Sequence, residues 1–86
     1  MERMQSMPMT QQEALQWIAV LFEESDNQIQ PETTRDKIAA WDSLGMLTLM
    51  AGLNEKFDIV MSDYELQEFR TVGDILNVLR KNGKLE

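Results

Sequence analysis

The chain has 86 residues, 15 acidic against 8 basic side chains, a formal net charge of −7, and neither cysteine nor histidine. Without Cys or His it has no disulfide framework, thiolate nucleophile, Ser-His triad, imidazole metal ligand or imidazole pH switch. Its acidic balance argues against nucleic acid and against an anionic membrane surface as partners. With 43% apolar and 27% charged residues, the composition is that of one globular domain.

Residues 1–9 read as a flexible, Met-rich leader. They hold no apolar run of signal-peptide length, and no stretch of the chain reaches the 18 apolar residues of a membrane span, so a cytoplasmic protein without membrane insertion is expected. Thr10-Gln11-Gln12-Glu13 has the pattern of a capping box, in which the Thr10 hydroxyl and the Glu13 carboxylate each satisfy the other's backbone amide. Ala14, Leu15, Ile18, Leu21 and Phe22 follow at helical spacing, with Trp17 on the flank. Glu23, Glu24 and Asp26 read as a solvated helix end rather than a metal cluster.

Residues 25–41 form a long connection broken by Pro31, with Ile29 and Ile38 expected to pin it to the core. A second helix begins near Asp42-Ser43. Its stripe is Met46, Leu49, Met50, Leu53 and Phe57, widened by Leu44, Leu47 and Ala51. Ser62 to Glu65 is a second capping box, opening a short helix that ends before Thr71. Thr71 to Asp74 is a third, opening a last helix on Val72, Ile75, Leu76 and Leu79. Arg80, Lys81 and Lys84 suit that helix's C-terminal dipole, and Gly83 stops it. The expected fold is all-α: a small four-helix bundle, three main helices and one short one, with a long first loop. Residues 10–82 would be the domain and 83–86 a tail.

The informative place is Asp42-Ser43-Leu44, where the long loop meets the second helix. Serine at such a boundary is ordinarily a cap. The same position also suits a phosphate ester, because helix N-terminal amides and the positive dipole end face it. Met46, Met50 and Met61 read as core, with an adaptable wall for a bound chain as the second reading. Trp41 reads either as an anchor for the loop or as a contact near the site. No catalytic residue and no metal ligand set is expected.

From Asp42 to Leu79 the chain resembles, without a gap, the phosphopantetheine-binding carrier proteins (the acyl, peptidyl and D-alanyl carriers). The resembling residues are Asp42-Ser43-Leu44, the apolar run Leu47 to Leu53, Phe57-Asp58, Ile59-Val60, Ser62 to Phe69, Thr71-Val72, and Ile75 to Leu79. With the first helix and loop in register, the resemblance extends over about residues 10–82.

The resemblance implies a non-enzymatic carrier with 4′-phosphopantetheine covalently attached to Ser43, donated by coenzyme A through a separate phosphopantetheinyl transferase. Asp42 would help that transferase engage. Leu44, Met46 and Glu55 would meet partners, and acyl- or aminoacyl-loading and downstream synthase enzymes would act on thioester cargo. Fatty acid biosynthesis and lipid metabolism are the implied setting, and a monomer the implied state. The alternatives are a peptidyl or D-alanyl carrier, or a small acidic interaction module in which Ser43 is only a helix cap.

Charge departs from the family pattern. Residues 1–42 hold 8 acids and 3 bases, the remainder 7 and 5. Gly45, Thr48, Asn54 and Lys56 stand where relatives of the fatty acid synthase type commonly carry acids, which points to a dedicated carrier for a fatty acid, polyketide or specialised-metabolite pathway.

Overall fold

The computed structural model describes residues 8–25 and 28–86. Its order is α1 (Gln11–Leu21), a 3-10 turn (Arg35–Lys37), α2 (Ser43–Phe57), α3 (Asp63–Leu66) and α4 (Val72–Lys81). This is the expected all-α bundle with one short helix and a long first loop. Extended pairing among the described residues is limited to two isolated bridges, Met9 with Leu85 and Thr34 with Thr71. Residues 1–7 of the expected leader, and Asp26 of the acidic helix end, lie outside the described residues.

All three capping boxes form. Thr10, Ser62 and Thr71 each accept the amide three residues on, and Glu13, Glu65 and Asp74 reach back to the capping residue's own amide. Each closes two otherwise orphaned donors at a helix start. The Asp74 carboxylate also accepts the Arg70 amide at 2.7 Å.

The core is a single cluster. Leu15 and Ile18 enter it from α1 and Phe22 from the cap that follows, Leu49, Leu53 and Phe57 from α2, Leu66 from α3, and Val72, Ile75, Leu76 and Leu79 from α4. Removing one of these leucines down to Ala costs about 2–5 kcal/mol in typical cores. The second helix packs on both α1 and α3. Trp17 closes the rim with its ring edge-on to Phe57, 5.0 Å between centroids.

The first loop is tied down along its length. Ile29 and Ile38 are buried, as expected. Trp41 is 3% exposed and stacks on Phe22 at 5.3 Å, so it is the anchor of the loop rather than a surface contact. Further back, Gly73 donates to Pro31 O at 2.7 Å, Val72 to Thr33 O at 2.9 Å and Arg35 to Arg70 O at 2.9 Å. The loop is thereby stitched to the link between α3 and α4.

One expectation about α2 needs correction. Leu44 and Leu47 do not widen the buried stripe: they are 74% and 56% exposed, and Ala51 is exposed too. The face of α2 that meets α1 and the core is already filled by Met46, Leu49, Leu53 and Phe57. Met50 packs half-buried against the core, and Leu44, Leu47 and Ala51 are left exposed.

Candidate functional site

The entry to α2 is built by Asp42. Its backbone is extended, and its carboxylate accepts the Gly45 amide at 3.0 Å, while its carbonyl accepts Met46 N at 2.8 Å. Asp42 is therefore the N-cap, and Ser43 is the first helical residue. The reading of Ser43 as merely a helix cap is corrected by this geometry. The capping is already done one residue earlier, and the Ser43 side chain is exposed with no hydrogen-bond partner among the described residues. The Ser43 and Leu44 amides likewise find no acceptor among the described residues, as the first amides of a helix ordinarily do not.

Gly45 explains how the helix start is held so near the loop. It is buried, and a Cβ there would collide with the Ala40 carbonyl, whose carbon lies 2.9 Å away. The close approach of loop and helix requires glycine. Gly45 therefore does not mark a lost partner-facing acid; an Asp would not fit. The neutral character of α2 rests on Thr48, Asn54 and Lys56 instead, all exposed. The Thr48 hydroxyl folds back onto Leu44 O at 3.1 Å.

Beside the Ser43 hydroxyl lies a cavity of about 360 Å³. From α2, Ser43, Met46 and Leu47 line it; from α3 and its end, Asp63, Leu66 and Gln67; from the 3-10 turn, Arg35. It thus has an apolar floor and a polar rim. Of the residues expected to face partners, Leu44 and Glu55 are exposed, whereas Met46 is 7% exposed and belongs to the core and the cavity floor. Next to Arg35, the Asp36 carboxyl is held below its ordinary 3.8, chiefly by the Thr34 hydroxyl and then by its own backbone amide, with a smaller pull from Lys37. It is ionised at neutral pH.

Arg35 escaped sequence reasoning. As one of two basic residues in a long loop, with Lys37 two positions on, it carries no signal until residues 33–35 pair with 70–72.

The arrangement suits a phosphodiester: an uncommitted hydroxyl, two open amides at a helix start, one guanidinium in the same cavity, and an adjoining apolar floor. The described residues contain no group of three or more acids placed to hold a metal, and no helix long and apolar enough to cross a membrane.

Comparison with known proteins agrees with this chemistry. The family model described as "phosphopantetheine attachment site" matches residues 18–79. The chain is 32% identical over 79 residues to the meromycolate extension acyl carrier proteins of Mycobacterium bovis and Mycobacterium tuberculosis, covering 87% of this chain and 69% of theirs. It is 41% identical over 39 residues to an acyl carrier protein of Clostridium acetobutylicum, covering 45% of this chain and 51% of that one. Proteins of this kind are carriers rather than enzymes, their 4′-phosphopantetheine is covalently bound, and transferases and synthases act on them. On its fold, its helix-start geometry and these matches, the chain belongs to the phosphopantetheine-binding acyl carrier protein family.

Proposed function

We propose that Ser43 is the attachment point of the 4′-phosphopantetheine arm and that the chain is a dedicated acyl carrier. The observation that carries this is the division of labour at the start of α2: Asp42 caps, and Ser43 is left exposed with a free hydroxyl. In loading, the Ser43 oxygen attacks the coenzyme A phosphorus that bears the pantetheine. The bond from that phosphorus to adenosine 3′,5′-bisphosphate breaks, and the hydroxyl proton passes to a base on the transferase. Asp42 holds the helix start rigid during this exchange, and Gly45 keeps it against the loop. The attached arm supplies a terminal thiol that carries acyl groups as thioesters, which is why a chain without cysteine can serve thiol chemistry.

Acyl rather than aminoacyl cargo is favoured by the mycobacterial and clostridial relatives above, which are named as acyl carriers. A dedicated pathway is favoured by α2, whose exposed face presents Leu44, Leu47, Thr48 and Ala51 and reaches its first acid only at Glu55. Such a face offers little to a strongly basic enzyme patch, and electrostatic complementarity governs on-rate and specificity more than affinity. We place the carrier in the cytoplasm as a monomer, meeting in turn a phosphopantetheinyl transferase, an acyl-loading enzyme and a synthase. Incubation with coenzyme A and a broad-specificity transferase should add the mass of one arm to the wild type and none to Ser43→Ala.

A further inference from the structure

We infer that Arg35 is the counter-charge of the phosphodiester on Ser43, a positioning residue that holds the root of the arm against the cavity. The inference rests on the reading of Ser43 given above. Attachment puts one new negative charge directly on the Ser43 oxygen. Two carboxylates already stand close by, Asp42 at the cap and Asp63 across the cavity. The open amides and the dipole of α2 offset part of this repulsion. Arg35 is the one basic side chain among the cavity's lining residues.

Its guanidinium is held but not used up. Nη1 donates to Gln67 O at 3.5 Å and to Phe69 O at 3.4 Å, both at the long end of hydrogen-bonding range. A guanidinium has five N–H donors in a rigid fork, so it can keep a carbonyl and still meet a phosphate bidentately. The backbone is fixed as well. Arg35 N donates to Arg70 O at 2.9 Å beside the Thr34–Thr71 bridge, and the side chain is half-buried. Much of the ordering that a surface arginine would undergo on gripping a phosphate has therefore already happened. Lysine would supply charge without the fork. Lys37, two residues on, is exposed and does not line the cavity.

The test compares ¹⁵N-labelled chain before and after loading from coenzyme A, with the arm's mass gain checked first. The Arg35 Nε–Hε signal should shift on loading, and its exchange with solvent should slow severalfold. The ³¹P signal of the loaded chain should differ between wild type and Arg35→Gln, with Arg35→Lys falling between. A merely structural arginine would leave the phosphorus signal where it is. The wild-type comparison needs no variant to fold. A loaded chain whose Arg35 and phosphorus signals do not move overturns this inference alone. A chain that gains no arm overturns the reading of Ser43, and this inference with it.

Discussion

The Asp42 carboxylate takes the Gly45 amide at 3.0 Å, and by doing so it frees the neighbouring Ser43 hydroxyl from structural duty. Capping and chemistry are thus assigned to adjacent residues. Stability measurements can separate them: Asp42→Ala should cost about 1 kcal/mol, the usual worth of an N-cap, with Asp42→Ser recovering most of it. Ser43→Ala should change stability by less than about 0.5 kcal/mol, as expected of a surface position. Urea unfolding of the three variants reads this directly. Equal losses at both positions would mean that Ser43 shares the capping.

Gly45→Ala sets two effects against each other. Alanine favours a helix interior over glycine by about 1 kcal/mol. Against this, the new methyl would meet the Ala40 carbonyl, backbone that cannot swing aside, and overpacking of this kind costs about 1–3 kcal/mol. We expect a lower thermal midpoint with a native-like helical spectrum. A raised midpoint would show that the loop gives way and that the helix start is not pinned there.

Each of the three long helices ends in a left-handed residue: Glu23 at φ 58°, Asp58 at φ 59° and Gly83 at φ 73°. After α1 and α4 the closing bonds are Glu24 N to Ala19 O and Lys84 N to Leu79 O, both 2.8 Å, while after α2 Ile59 N reaches Leu53 O at 3.1 Å. The first two residues sit in that region with side chains that strain it, so Glu23→Gly and Asp58→Gly should each stabilise by about 0.5–1 kcal/mol. Gly83→Ala should destabilise by a similar amount. Chemical denaturation of the single variants checks all three.

These turns also show where sequence reading stops. Capping boxes at Thr10, Ser62 and Thr71 are legible because the two partners lie three residues apart and act locally. Gly83 is legible for the same reason, and Asp58 is of a type that tolerates a left-handed backbone, but nothing about Glu23 as a residue type announces one. On α2 the apolar pattern is too broad to orient. Which leucines face out is decided by α1 and α3, and so Leu44 and Leu47 read as core while standing in solvent. Ser43 is visible through its motif. Arg35 reaches the cavity only through pairing between segments some thirty-five residues apart, and Leu85 reaches the core only through its bridge to Met9.

Thr48 tests the electrostatics of the partner face. Thr48→Glu would place an acid on the exposed side of α2, one turn beyond Leu44, where the present residues offer none before Glu55. At low salt it should speed loading by a basic malonyl transferase of the fatty acid type severalfold, and the gain should fade as salt shortens the Debye length to about 8 Å at 0.15 M. An unchanged rate at low salt would remove the charge argument for a dedicated partner.

The central claim is that Ser43 carries the arm, and trypsin offers a direct view of it. Cleavage after Lys37 and Lys56 releases residues 38–56, in which Ser43 and Thr48 are the only hydroxyl side chains. After incubation with coenzyme A and a phosphopantetheinyl transferase, fragment-ion mass spectrometry of that peptide should show one arm, on Ser43. An unmodified peptide, or an arm on Thr48, would contradict the account.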